Sequence, residues 1–215
     1  ARHFSGVCMV TILMPVSKSA DCIGETLRSI LNQSWTDYEI VMVNDCSTDN
    51  TCQVIESYKD SRIKLYHNGR NIGYCRNLRV CSKLATGDII YLMADDDIMA
   101  RDALRSTCER FEDKEIGAVT RPYFWFDEDI NKPVRAKQQL SSCQDERVGI
   151  SESSLRVIRV FQPLDQLSGL AMRKKFIEVD FYKDIFPCHI YPFASIFKKH
   201  PVVFMAKSDI GLQNQ

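Results

Sequence analysis

Two hydrophobic periodicities take turns along the first hundred residues, and this alternation restricts the fold more than any other feature of the chain. Residues 7–15 form an apolar, β-branched run suited to a buried strand, after which Ile23, Leu27, Ile30 and Leu31 recur at helical spacing. Residues 38–44 repeat the strand pattern, the capping-rich stretch 45–49 follows, and Val54, Ile55 and Tyr58 share one helical face. A third unit joins a strand at 62–66 to a helix carrying Leu78, Cys81 and Leu84, with Gly87 expected at its C′ position. Residues 88–94 make a fourth strand.

Such alternation implies parallel pairing through right-handed crossovers, hence an α/β fold with an open, mostly parallel sheet flanked by helices on both faces. Ligands of such sheets bind beyond the carboxyl ends of the strands. Three polar clusters fall there: Ser17 and Lys18 after the first strand, Asn44 and Asp45 after the second, and Asp95, Asp96 and Asp97 after the fourth. They are expected to converge.

Composition narrows the function classes. The 28 Lys and Arg balance 28 Asp and Glu, so no chain-wide field draws the protein to nucleic acid. The balance hides an asymmetry: residues 1–130 hold 15 basic and 20 acidic groups, residues 131–215 hold 13 and 8. No repeat, low-complexity tract or Gly/Ser linker separates the parts, so residues 1–215 are expected to form one domain whose character changes partway. Apolar runs reach about six residues, against the roughly 20 of a membrane-spanning helix. Nine Cys, an odd number without Cys-x-x-Cys spacing, lack the usual zinc and thioredoxin signatures. Cys8, Cys81 and Cys108, among apolar or helical-period residues, read as small buried hydrophobes, and the thiols point to a reducing, cytoplasmic location. Residues 1–6 show neither an initiator Met nor a signal-peptide apolar core.

Three consecutive carboxylates closing an apolar strand raise one another's pKa unless something positive intervenes. A divalent cation answers that problem. Oxygen ligands without convergent His or Cys select Mg²⁺ or Mn²⁺, which bind one or two carboxylates and complete their shell with phosphate and water, so a phosphorylated ligand is implied. A plainer reading makes the run a cap for a helix starting near Ala100.

The chain resembles the family 2 glycosyltransferases. The residues involved are 10–16 (VTILMPV), 25–34 (ETLRSILNQS), 38–49 (YEIVMVNDCSTD), Asn71-Ile72-Gly73 with Arg76-Asn77, then Ala85-Thr86-Gly87-Asp88 and the Asp triplet. The likeness is dense over about residues 8–105, the nucleotide-sugar-binding half, and looser over 106–215, the acceptor half. It implies a Rossmann-like GT-A fold and metal-dependent, inverting transfer of a sugar from a UDP- or dTDP-type donor to an acceptor hydroxyl, in polysaccharide or cell-surface glycan synthesis. By the same resemblance Pro15, Val16 and Ser17 line the base and ribose, Asp45 accepts a hydrogen bond from the base, and Arg76 faces the diphosphate. Asp95 lies near the ribose or diphosphate. Asp96 and Asp97 are the metal candidates of a DXD-type motif, Asp96 preferred. Ala94 departs from the pattern, which often has Asp there.

An inverting displacement also needs a base on the acceptor side. In many relatives it is an acid just before the last helix; here the slot reads Pro187-Cys188-His189. His189, with a pKa near working pH, Asp184 and Asp180 are the candidates. Residues 117–126 resemble a fifth strand whose Trp125 stacks on a sugar or belongs to a buried aromatic cluster. Residues 166–173 resemble the acceptor-side strand, 190–197 have helical spacing, and 201–205 form a late strand. The basic runs 173–175 and 198–199 are solvated faces or contacts for an anionic, lipid-linked acceptor or the inner membrane surface. The resemblance also leads one to expect a C-terminal extension beyond Gln215. The competing reading is a non-catalytic module of the same fold that binds a nucleotide sugar or glycan.

Overall fold

The computed structural model describes residues 8–127, 134–136, 144–181, 187–206 and 210–213. Its first hundred residues alternate as expected: Val10–Val16 (β1), Ile23–Leu31 (α1), Tyr38–Asn44 (β2), Thr51–Ser57 (α2), Ile63–His67 (β3), Tyr74–Leu84 (α3) and Ile89–Leu92 (β4). Then come Ile98–Met99 (β5), Ala103–Arg110 (α4), Ala118–Thr120 (β6), Phe124–Phe126 (β7), Arg135–Ala136 (β8), Glu146–Val148 (β9) and Ser154–Phe161 (α5). A 3-10 turn at Gln162–Asp165 leads to Ala171–Arg173 (β10), Ile190–Phe197 (α6), Val202–Phe204 (β11) and Ile210–Gln213 (β12).

Among the described residues, eight strands form one sheet in the order β3, β2, β1, β4, β10, β6, β11, β9. β1 pairs in parallel with both β2 and β4, whereas β10 lies antiparallel between β4 and β6. Every residue of β1 and β2 is buried because both faces are covered. Ile12, Met14, Ile40 and Met42 pack with Ile23, Leu27 and Ile30 of α1 and Leu104 of α4. Leu13, Val41 and Val43 turn the other way, toward Leu78 and Cys81 of α3 and Phe193 and Phe197 of α6. Nothing long and apolar enough to cross a membrane occurs among the described helices. None of the eight described cysteines is in a disulfide, and four of them are buried.

Three expectations change. Gly87 is not the C′ residue of α3, which ends at Leu84 with Ala85 extended. It is glycine because β1 passes so close that a Cβ would sit 2.7 Å from the Met9 carbonyl and 2.8 Å from the Thr11 nitrogen. The fifth strand is two: β6 belongs to the main sheet, and β7, after Pro122, joins a second sheet in the order β5, β12, β7, β8. The basic run at 173–175 is not one solvated face, since Arg173 is 7% exposed and donates to the carbonyls of Phe111, Asp113 and Ile116. It also lies opposite Ile89, at the amino end of β4 and away from the carboxyl edge.

Candidate active site

The carboxyl ends of β1, β2 and β4 meet, as their polar clusters required. The Ser17 N–H donates to Asp95 Oδ2 at 3.1 Å, the Thr26 hydroxyl to the Asp95 carbonyl at 3.1 Å, and the Asp45 N–H to the Val16 carbonyl at 2.9 Å. A cavity of about 270 Å³ opens here. Pro15, Val16, Ser17, Asp45 and Asp95, five residues selected from sequence, line it together with Asn71, Gly73, Tyr74 and Asn77. Arg76 is exposed on α3, where its neighbours Tyr74 and Asn77 form the wall.

The turns at this edge are tightly specified. Lys18 and Cys46 both adopt positive φ, 55° and 57°, which side chains other than glycine rarely take. The Ser47 hydroxyl accepts from the Lys18 N–H at 2.9 Å, while the Ser47 N–H donates to Asn44 Oδ1 at 3.1 Å. Asp49 accepts from the Ala20 N–H and from both the N–H and hydroxyl of Thr51, so the loops after β1 and β2 are tied to each other.

Asp45 is 3% exposed, and its carboxylate accepts from the Ile72 and Gly73 N–H groups and the Asn68 amide, all at 2.9 Å. Asn77, 2% exposed, accepts from that same Asn68 amide at 3.0 Å and donates to the Val43 carbonyl at 2.7 Å. Asp45 therefore shapes the wall formed by residues 68–73. Sequence reasoning gave Asp45 a ligand role and missed this one, although Asn71, Gly73 and Asn77 were the signal. Gly73 has φ of 83°, the conformation that lets its N–H meet Asp45.

The acidic triplet splits into three environments. Asp95 is half-buried, and burial, reinforced by the charge of Asp96, pushes its carboxyl up to about 6. Asp96 is half-buried beside it. Asp97 is 5% exposed and accepts from the Ser168 hydroxyl at 2.5 Å, and that hydroxyl also accepts from the Ala94 N–H at 2.9 Å. Among the described residues no three His, Cys, Asp or Glu side chains form a metal cluster. Two adjacent half-buried carboxylates, one already strained toward protonation, nonetheless suit a hard cation that takes its other ligands from phosphate and water.

The candidate bases fare differently. His189 is not poised near working pH: it is 0% exposed, its Nε2–H donates to the Leu164 carbonyl at 2.9 Å, and burial pushes its pKa down to about 4. Asp180 accepts from Arg79 of α3 at 2.6 Å and from the Phe181 N–H at 2.7 Å. Asp184 lies outside the described residues. Trp125 is half-buried and meets Tyr123 edge-on, their ring centres 5.9 Å apart.

The model of the glycosyl transferase family 2 matches residues 11–185. Over 96 residues the chain is 31% identical to the Escherichia coli enzyme named UDP-Glc:alpha-D-GlcNAc-diphosphoundecaprenol beta-1,3-glucosyltransferase WfgD, a match covering 45% of this chain and 38% of that protein. The fold resembles Staphylococcus aureus TarS 1–349 in complex with UDP-GlcNAc, with a TM-score of 0.79, 17% identity, and 96% and 59% of the two chains covered. It also resembles the Pyrobaculum calidifontis mannosyltransferase PcManGT in complex with GDP-Man and Mn²⁺, with a TM-score of 0.69, 19% identity, and 98% and 57% covered. The chain spans well under half the length of the curated relatives it matches.

Proposed function

Because the chain belongs to glycosyl transferase family 2, we propose that it transfers a sugar, with inversion, from a nucleotide-diphosphate donor of UDP or dTDP type to an acceptor hydroxyl during polysaccharide or cell-surface glycan synthesis. The observation that supports this most is the cavity that joins Pro15, Val16, Ser17 and Asp45 to Asp95 at the carboxyl edge of the sheet. It is concave, held by hydrogen bonds from Ser17, Ile72 and Gly73 N–H groups to Asp95 and Asp45, and lined by Pro15, Val16 and Tyr74 together with those acids. The names of the relatives support the nucleotide-diphosphate-sugar donor, citing UDP-GlcNAc and GDP-Man with Mn²⁺, and one cites a lipid-linked diphosphate acceptor.

In this reading residues 15–17 and the Asp45-ordered turn receive the base and ribose, and Asp95 and Asp96 stand where the diphosphate arrives, with Arg76 at its outer side. Asp96 holds Mn²⁺ or Mg²⁺, and Asp97, braced by Ser168, fixes the backbone behind it. A cation held there would, when bound, supply Lewis-acid stabilisation of the charge on the leaving phosphate. The acceptor, a glycan or lipid-linked hydroxyl, approaches from the β10 side, and the protein works in the cytoplasm, at the inner membrane face where the acceptor is lipid-linked.

One observation favours a second reading, a binding module without turnover: His189, in the slot expected for the base, is buried and neutral. Incubation with UDP-, dTDP- and GDP-sugars in Mn²⁺, Mg²⁺ or EDTA separates the two. The transferase reading expects metal-dependent release of nucleoside diphosphate with at least one donor. Binding without release across all donors favours the module, and no binding at all contradicts both.

A further inference from the structure

We propose that Asp165 is the carboxylate that takes the proton from the acceptor hydroxyl, aimed by the hydroxyl of Tyr123. The inference rests on the transferase reading above and supplies the base that the sequence left undecided.

It starts from register. β10 runs antiparallel to β4 with Ala171 opposite Tyr91. The pairing continues past both strands: Leu92 N–H donates to the Leu170 carbonyl at 2.9 Å, Gly169 N–H to the Leu92 carbonyl at 3.1 Å, and Ala94 N–H to the Ser168 hydroxyl at 2.9 Å. Ser168 then donates to Asp97 at 2.5 Å. Asp165 closes the 3-10 turn three residues before Ser168, so it lies in the segment that enters β10 from this edge, beyond the carboxyl end of β4. β6 is antiparallel to β10 and so parallel to β4. Tyr123, just after β6, therefore leaves the sheet at this same edge.

Two further contacts fix the carboxylate there. The Tyr123 hydroxyl lies 3.0 and 3.1 Å from the two oxygens of Asp165. Tyr123 is 3% exposed and its ring is held edge-on by Trp125, whereas Asp165 is exposed. A packed phenol thus orients the carboxylate of an exposed residue. From behind, His189 donates to the carbonyl of Leu164, so the slot where a base was expected touches the residue next to Asp165. The acid is supplied by the turn before β10 and not by the start of α6.

The step balances simply. The acceptor oxygen bonds to the anomeric carbon while the bond from that carbon to the diphosphate oxygen breaks, its electron pair leaving with the nucleotide. The hydroxyl proton passes to Asp165 and later to solvent. Tyr123 is a positioning residue, since it acts only through Asp165.

Donor hydrolysis, with water as acceptor, tests this in the whole chain. The probe is whichever of UDP-GlcNAc, UDP-Glc and GDP-Man the parent binds most tightly in Mn²⁺, with binding measured alongside turnover and folding checked by circular dichroism. Asp165→Asn should lower kcat by about 100-fold or more while donor affinity stays within about twofold, and Asp165→Glu should keep an intermediate rate. Tyr123→Phe should lower kcat several-fold with KM unchanged. The proposal is overturned if Asp165→Asn stays within about threefold of the parent, if donor affinity falls in parallel, or if Asp184→Asn abolishes turnover while Asp165→Asn does not. A parent that binds donor without hydrolysing it overturns the proposal in favour of the binding module, and a parent that binds none removes the transferase reading itself.

Discussion

Ser17 and Asp95, 78 positions apart in the chain, are joined by a hydrogen bond of 3.1 Å from the Ser17 N–H to the Asp95 carboxylate. It links the end of β1 to the end of β4 and turns two strand termini into one wall. The same carboxyl is pushed up to about 6 by burial and by Asp96.

That displacement fixes the sign of a pH effect. The folded pKa stands above the unfolded value of about 3.9, so folding favours the protonated acid. Its stabilising contribution is complete below about pH 4 and is lost as pH rises through 6. In EDTA, Asp95→Asn keeps an acceptor for Ser17 and should be more stable than the parent at pH 8, by on the order of 1–3 kcal/mol, with little difference at pH 4. Urea unfolding at the two pH values checks this; an Asn variant that is weaker at pH 8 contradicts it.

Asp45 should behave differently. Asp45→Ala leaves the Ile72 and Gly73 N–H groups and the Asn68 amide without their acceptor, which should cost roughly 2–5 kcal/mol. Hydrogen exchange at Ile72 and Gly73 should accelerate at least as much as global unfolding does, and nucleotide affinity should fall with it. Unchanged exchange at both amides contradicts the assigned role.

His189 reports on the interior and not on catalysis. Its folded pKa of about 4 lies below the unfolded value of about 6.5, so its contribution is complete above pH 6.5 and is lost as pH falls through 4. His189→Gln should lower stability at pH 7.5 by about 1–3 kcal/mol and flatten the loss between pH 6.5 and 4. Denaturation midpoints at pH 5 and 7.5 measure both effects.

Gly87→Ala should cost about 1–3 kcal/mol, since the new methyl meets the backbone of Met9 and Thr11. Gly149→Ala, with nothing within 4 Å of the added carbon, serves as the near-neutral comparison in the same thermal unfolding series.

The donor half was legible because β1 and β2 are seven residues long and buried on both faces, and because its strands alternate with helical periods, so periodicity located β1 through β4. The acceptor half was legible in part: the helix at 190–197 and strands within 166–173 and 201–205 stand where the sequence placed them. β6, β7, β10 and β11 have three residues each, too few to show a period, and β10 is antiparallel for reasons of tertiary packing. α5, β9 and the second sheet went unread, and Arg173 looked like surface because a buried guanidinium holding three carbonyls leaves no mark in sequence. Asp45 was legible as a residue of the strand-end cluster that lines the cavity but not as the organiser of its wall, since its donors come from residues 68–73. Asp165 was hidden by the same cause, since its tie to Tyr123 joins segments 42 positions apart.

The central claim is that the strand-end acids hold a cation against a nucleotide diphosphate. Calorimetric titration of UDP into the parent and into Asp96→Ala, each with Mn²⁺ and with EDTA, tests it most directly. Mn²⁺ should tighten UDP binding to the parent by at least about tenfold, and Asp96→Ala should lose this gain while keeping the weaker affinity seen in EDTA. Equal Mn²⁺-dependent tightening in both proteins, or none in the parent, contradicts it.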